Sequence, residues 1–200
     1  MACLPFSQAC ENNRQPILEA LKPRLRDQHH VLEVGSGTGQ HACFFAERMP
    51  WLQWQPTELA ENLPLLQPRC DASAAANLAE PKALDVTERP WPLPLGGSVF
   101  TANTLHIMPW AAVEALFMHL GDALSPGAVC IVYGPFNYGG AHTSESNARF
   151  DQWLADRGEH SAIRDFESVD ALATAANLQL VSDTAMPANN RLLCWAQQSG

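Results

Sequence analysis

Val31-Leu-Glu-Val-Gly-Ser-Gly-Thr-Gly-Gln-His41 is the stretch on which the reading of this chain turns. It opens with a short β-prone run that has one acid, Glu33, set inside it. Glycines then alternate at positions 35, 37 and 39, and Gln40-His-Ala-Cys-Phe-Phe-Ala-Glu-Arg-Met49 reads as a helix that Pro50 stops. Strand, glycine loop and helix in that order let backbone approach a ligand closely, with the N–H groups of the helix start exposed to it. The third glycine comes one position earlier than in the dinucleotide pattern G-x-G-x-x-G, which leans away from a pyrophosphate. Glu58 stands nineteen residues after Gly39, at the end of the next strand, where a carboxylate accepts both ribose hydroxyls of a nucleoside.

Working outward, Ile17, Leu18, Leu21 and Leu25 fall at helical spacing and predict an N-terminal helix over Glu11 to Leu25. Trp51 to Pro56 alternates apolar and polar residues and predicts a second strand, ending at Thr57-Glu58. A helical segment follows, irregular around Pro64 and Pro68 and regular from Ala72 to Leu78. Ala83 to Val86 reads as a third strand end, Ser98 to Ala102 as a fourth strand and Ala111 to Leu124 as a helix. Ala128 to Tyr133 is a continuous apolar run suited to a central parallel strand. The polar stretch Asn137 to Ser146 should be a loop feeding a helix that starts near Thr143 or Ser144. A helix capped by Ser168 and running to Asn177 leads to a closing β-hairpin, Leu178 to Thr184 and Arg191 to Ala196. Strands alternating with helices imply a parallel sheet with right-handed crossovers, to which the hairpin adds one antiparallel strand.

Two hundred residues suit one domain, residues 1–200, and a chain of that length buries roughly 70% of its unfolded surface. Lys+Arg number 12 against 21 Asp+Glu, a net charge of −9, so the field of the molecule repels phosphate backbones and anionic lipid surfaces. General nucleic-acid binding is therefore disfavoured, and no apolar run approaches the ~20 residues of a membrane span. The start, Met1-Ala-Cys-Leu-Pro-Phe-Ser7, lacks the marks of a secretory signal, and a cytoplasmic location is expected. Six cysteines, Cys3, Cys10, Cys43, Cys70, Cys130 and Cys194, are scattered without a C-x-x-C pair and read as reduced thiols. His29, His30 and His41 lack companions at ligand spacing, so no metal site is expected.

Residues 31–41 resemble motif I of the class I S-adenosylmethionine (SAM) dependent methyltransferases. Glu11-Asn-Asn-Arg-Gln-Pro-Ile-Leu18, Trp54-Gln-Pro-Thr-Glu58, Leu84-Asp-Val-Thr87, Asn103 to Trp110, Tyr133-Gly-Pro-Phe136, Ser146-Asn-x-x-Phe-Asp151, Ile163-Arg-Asp165 and Met186 to Asn190 extend the likeness. Together they resemble the methyltransferase-like family that includes methyltransferase-like protein 26, carried as one of unknown function. The resemblance implies a Rossmann-like α/β fold: a seven-stranded, mostly parallel sheet with its last strand antiparallel and helices on both faces. SAM would be the cofactor. Glu33, Gly35, Ser36, Gly37, Gly39 and His41 would serve its methionine half, Glu58 its ribose, Asp85 and Val86 its adenine. Asn103 and Leu105 would line the sulfonium region. Residues 1–26 would form a lid, with Asn13 and Arg14 as contacts, although Asn12 and Asn13 also suit plain helix capping.

Methyl transfer from a sulfonium is an in-line displacement that asks mainly for positioning and exclusion of water. His106, Tyr133 and Asp151 are the candidate bases, histidine being best matched to neutral pH. Against this, His106 reads equally as a satisfied histidine at a strand end and Tyr133 as sheet core. Phe136, Asn137, Asn147, Arg164 and Asn189 are the candidate acceptor contacts, with Arg164 suited to a carboxylate through its planar fork and Asp165 as its alternative salt-bridge partner. A small-molecule acceptor is expected. The rival readings are a SAM-binding protein without catalysis and a nicotinamide-dependent oxidoreductase, the latter opposed by the glycine spacing.

Overall fold

The computed structural model describes residues 4–91 and 97–198. Met1 to Cys3, part of the segment read as lacking a signal, and the Cys3 thiol lie outside the described residues. Seven strands form one sheet in the order β3-β2-β1-β4-β5-β9-β8, where β1 is His30–Val34, β2 Gln53–Glu58, β3 Lys82–Ala83, β4 Ser98–Ala102, β5 Val129–Gly134, β8 Leu178–Met186 and β9 Asn190–Gln197. β1 and β2, and β2 and β3, run parallel, whereas β9 runs antiparallel to both its neighbours. A separate pair, β6 (Phe136–Asn137) and β7 (Arg164–Asp165), is parallel. The fold is thus the mixed α/β sheet expected, and no described helix is long and apolar enough to cross a membrane. Contacts divide the chain into two compact units, Met1–Phe100 and Thr101–Gly200.

In the first unit, α1 (Gln8–Leu25) begins at Ser7, whose hydroxyl accepts from the Cys10 N–H, and it buries the predicted stripe of Ile17, Leu18, Leu21 and Leu25. α2 (Gln40–Arg48) buries Phe44 and Phe45. Phe45 sits with its ring centroid 5.5 Å from Trp54 of β2 and 5.7 Å from Phe100 of β4, an aromatic cluster fully removed from water. β2 starts at Gln53 rather than Trp51, because Trp51 turns outward and its indole N–H donates to the Leu25 carbonyl at 3.0 Å.

α3 spans Leu63–Asp71, the segment that holds the prolines, and residues 72–78 are not helical, the reverse of the expectation. Pro64 costs nothing in the first turn, where an N–H has no helical partner. Downstream, tertiary bonds override the helix preference of the alanines. The Asn77 amide donates to the carbonyls of Ala46, Met49 and Leu52 at 3.0, 3.1 and 2.7 Å, and the Asn77 carbonyl accepts from the Trp54 N–H. Asn77→Ala is expected to cost about 1–2 kcal/mol by stranding those carbonyls. Urea unfolding measures it, and an unchanged midpoint would count against this role.

In the second unit, α4 (Trp110–Ala123) packs against α6 (Phe166–Ala175) so closely at one end that a Cβ on Gly121 would lie 2.9 Å from the Ala176 carbonyl oxygen. α5 (Glu145–Ala155) starts just after the expected Thr143 or Ser144 and is capped by Ser144, its hydroxyl accepting from the Asn147 N–H. α6 begins at Phe166 with Asp165 at its cap position, not at Ser168. Asp165 is paired with Asn137 across β6 and β7, and Phe166 stacks on Tyr138 at 5.1 Å, so the chain enters the helix directly from the strand. The closing hairpin is longer than expected and carries a bulge between Leu180 and Ser182.

Candidate functional site

Within the first unit, the glycine loop leaves β1 with Gly35, Gly37 and Gly39 all at positive φ. Gly39 (φ 75°) occupies the cap position of α2, with no side chain bonded to the helix start. A helix start without a side-chain cap is the kind that anionic groups occupy. A side chain at Gly39 would be strained by φ and crowded, its Cβ 2.9 Å from Leu66 Cδ1. Ser36 ties the loop to β2 twice: its N–H donates to the Thr57 carbonyl at 2.9 Å and its Oγ accepts from the Thr57 N–H at 3.2 Å.

Glu58 ends β2 beside this loop. One carboxylate oxygen accepts from the Gly37 N–H at 2.9 Å, and the other accepts from the Leu59 N–H at 3.0 Å and the Asn62 amide at 3.3 Å. Glu33 is buried, its Oε2 accepting from the Trp54 indole N–H at 2.9 Å. Burial pushes Glu33 up to about 7, against the lowering effect of its hydrogen bonds from Trp54 and Ser36. Asp85 lies further on, its Oδ1 accepting from both the N–H and the hydroxyl of Thr87, which hold it below the usual carboxylate range. Val86 beside it is buried.

Asn13 and His41 meet each other, Asn13 Oδ1 lying 2.7 Å from His41 Nε2. The His41 ring stacks on Phe45, and burial, with Arg14 nearby, pushes it down to about 4. Arg14 forms an ion pair with Glu11 and lies 4.6 Å over the Phe44 ring. Sequence reasoning missed Gln40 and Arg69. The Gln40 amide accepts from the Ser7 N–H and donates to the Ser7 carbonyl, while Arg69 donates to the carbonyls of Thr38 and Pro5. The segment before α1 is thus latched to the glycine loop. Trp54 was missed as well, although an acid inside an apolar strand calls for a donor on the neighbouring strand.

Within the second unit, Asn103 follows β4 at positive φ (58°) and its N–H donates to the Tyr133 carbonyl at 2.8 Å. Leu105 and His106 are buried in the loop that follows. The His106 ring packs edge-on to Phe150 at 5.3 Å and approaches Gly134, the last residue of β5. Burial, with the Arg164 charge nearby, pushes His106 down to about 4, so its imidazole is neutral at pH 7. Tyr133 is buried within β5 opposite Leu192 of β9.

Arg164 Nε donates to the Leu105 carbonyl at 3.0 Å, and its Nη2 donates to the carbonyls of Met108 and His160. It clamps the His106 loop rather than opening its fork to a carboxylate, and Asp165 is not its partner. Asp151 accepts from the Ile163 N–H at 2.6 Å and lies 3.7 Å from His142 Nε2. His142 Nδ1 in turn lies 2.8 Å from Asn137 Oδ1, so Asp151, His142 and Asn137 form a chain beside buried Phe136. Asn147 and Asn189 meet elsewhere: the Asn147 amide donates to the Asn189 carbonyl, and the Asn189 amide donates to Ser146. Arg164→Lys is expected to loosen the loop, since one ammonium cannot reach three carbonyls in this fork geometry. Amide exchange at Ile107 and Met108 should quicken about tenfold; unaltered exchange would dismiss the clamp.

A model of the family described as "Protein of unknown function (DUF938)" matches residues 4–197. Among solved structures, the SAM-dependent methyltransferase SibL in its apo form superposes with a TM-score of 0.79 at 19% identity, covering 95% of this chain and 56% of that one. An O-methyltransferase family protein from Burkholderia thailandensis gives 0.81 at 16% identity, covering 96% and 58%. Human N-acetylserotonin methyltransferase in complex with SAM gives 0.77 at 12%, covering 96% and 53%. The chain therefore spans a little over half the length of these proteins, and at such identities the likeness is one of fold.

Proposed function

The chain belongs to the family described as protein of unknown function (DUF938), and from its site we propose that it is a SAM-dependent methyltransferase acting on a small-molecule acceptor. Within the methyltransferase-like proteins we group it with methyltransferase-like protein 26, on the sequence blocks quoted above. The observation that carries the reading is Glu58, a carboxylate at the end of β2 held against the Gly37 N–H of a loop whose last glycine opens α2 without a side-chain cap. That donor set fits a nucleoside bearing a charged amino-acid tail: a carboxylate for two ribose hydroxyls and a helix start without a side-chain cap for an anionic end.

Glu33, Ser36 and the three glycines would hold the methionine half, Glu58 the ribose, and Asp85 with Val86 the adenine, while Asn103 and Leu105 would border the sulfonium. His41 and Asn13, bonded to each other, would set the start of α2 and the segment before it, with residues 1–26 and Arg14 as the lid of a single domain. When bound, SAM supplies an electrophilic methyl group to an acceptor lone pair. The chain's own part is to orient that acceptor, exclude water and take a proton from it. Of His106, Tyr133 and Asp151, we assign the proton to His106, whose neutral imidazole offers a lone pair; with a value near 4 it is a weak base, suited to a proton that turns strongly acidic once the acceptor is methylated. Asp151 acts through His142 to orient Asn137, which with Phe136 would contact the acceptor. Asn147 and Asn189 would border it, and Arg164 is a positioning residue for the His106 loop. A net charge of −9 and the small molecule for which the N-acetylserotonin enzyme is named both favour a small acceptor in the cytoplasm over nucleic acid or membrane.

Calorimetric titration of the purified protein with SAM, S-adenosylhomocysteine and NAD tests the cofactor. Micromolar binding of the first two and none of NAD is expected. Preference for NAD would replace the reading by an oxidoreductase, and no binding of any of the three would overturn it. A screen of metabolite extracts with methyl-labelled SAM then reads transfer, and SAM binding with no transfer to any fraction would favour a sensor.

A further inference from the structure

Two cysteines of the first unit, Cys43 and Cys70, stand on neighbouring helices. Cys43, in the first turns of α2, points toward α3, and its Sγ lies 3.6 Å from the Arg69 carbonyl oxygen, which belongs to the peptide that leads into Cys70. Cys70 is the next residue along α3, so its side chain starts from the peptide that Cys43 Sγ touches. Both residues are partly accessible, as is Cys10 on α1, whereas Cys130 and Cys194 are buried in the sheet. A groove of about 240 Å³ opens beside Cys43, where Arg14 pairs with Glu11 and Arg48 with Glu47, and Arg69 adds a guanidinium bonded only to backbone carbonyls. That one uncompensated positive charge suits a ligand that carries a carboxylate.

We propose that Cys43 and Cys70 form a redox couple in which Cys43 attacks small disulfides bearing carboxylates, such as glutathione disulfide, and Cys70 resolves the product into an intramolecular bond. In the first step the Cys43 thiolate attacks one glutathione sulfur, the glutathione S–S bond breaks, and one glutathione thiolate leaves. The Cys70 thiol then gives its proton to solvent, and its sulfur attacks Cys43 Sγ, expelling the second glutathione as thiolate. Two protein thiols are oxidised and one small disulfide is reduced to two thiols. The order of attack follows from placement: Cys43 lines the groove and Cys70 is not among its lining residues. The nearby Cys70 also holds Cys43 below its ordinary value, with burial working the other way, while Cys70 is pushed up by Cys43 and by burial.

Bond formation would bring the two sulfurs to about 2.05 Å. Arg69, next to Cys70, holds the Thr38 carbonyl at 2.8 Å and the Pro5 carbonyl, and the Cys43 N–H bonds the Gly39 carbonyl. Oxidation therefore pulls on the glycine loop from both sides. Its consequence for cofactor affinity rests on the reading above; the bond itself does not.

The test treats reduced, full-length protein with glutathione disulfide, traps it in acid with a maleimide and maps the peptides by mass spectrometry. The expected product is one cross-link, Cys43 to Cys70, with Cys130 and Cys194 still alkylated. Cys70→Ser should accumulate a glutathionyl adduct on Cys43 and none elsewhere. Full alkylation of Cys43 and Cys70 in the treated native protein, or a first adduct on Cys70, would overturn the proposal, and the wild-type map decides it even if a variant fails to fold. Amide exchange at residues 37–41 should differ about tenfold between the oxidised and reduced forms, with SAM affinity falling by a similar factor. Unchanged exchange would refute the coupling to the loop. Altered exchange in a protein that binds no SAM in either form would instead count against the cofactor assignment.

Discussion

Glu58→Ala is expected to weaken SAM binding roughly tenfold to hundredfold, about 1.4–2.8 kcal/mol. Two ribose hydroxyls would lose their acceptor. The same change strips the Gly37 N–H, the Leu59 N–H and the Asn62 amide of their partner, so the loop loses its anchor to β2. Glu58→Gln keeps one acceptor oxygen and should fall between the two. Asp151→Ala is the contrast: its carboxylate supports the Ile163 N–H in the second unit, and its removal should lower the urea midpoint while SAM affinity stays within about twofold. Titration calorimetry on variants verified by circular dichroism gives both numbers. Equal losses for Glu58→Ala and Asp151→Ala would undo the assignment of the ribose carboxylate.

Acid should destabilise the fold by a specific route. In the unfolded chain His41 and His106 take up protons near 6.5, but in the fold only near 4, so the unfolded state binds more protons between those values. Their contribution is complete above about pH 6.5, is lost as pH falls toward 4 and amounts to about 3 kcal/mol each. Glu33 works in the opposite direction: its folded value near 7 against 4.5 unfolded stabilises the native state as pH falls through that window, by a similar amount. The net loss in the wild type is then about one histidine's share, near 3 kcal/mol. Glu33→Gln removes the opposing group while keeping an oxygen for the Trp54 indole, and its loss between pH 6.5 and 4 should roughly double. Denaturant unfolding at several pH values reads this directly, and identical slopes for the two proteins would refute the part given to Glu33.

Much of the fold was written locally. The stripe Ile17, Leu18, Leu21 and Leu25 is the set that α1 buries, and β4 begins and ends where its apolar run does. Misreadings occurred where a distant partner decides. Ala72 to Leu78 has helical composition, yet Asn77 is recruited by the end of α2, and α6 starts early because Asp165 is already paired to Asn137. The site divides in the same way. The glycine loop and Glu58 could be read because spacing along the chain sets them side by side. Arg164 was read as an acceptor contact and Asp151 as a base, and each also bonds distant backbone, Arg164 the Leu105 carbonyl 59 residues away and Asp151 the Ile163 N–H 12 residues away, which no local pattern announces. His106 was visible as a candidate, whereas its neutrality follows from burial that only the packed chain provides.

The order of strands has a consequence for how the protein is made. β9 is the last strand to be synthesised, yet it lies between β5 and β8, which both precede it, and β8 has no other neighbour in the sheet. A nascent chain on the ribosome therefore carries β5 with an open edge and β8 with no place to dock until residues 190–197 have emerged. The second half must wait and then close in one late step, with its most apolar strand exposed to chaperones or to other chains throughout.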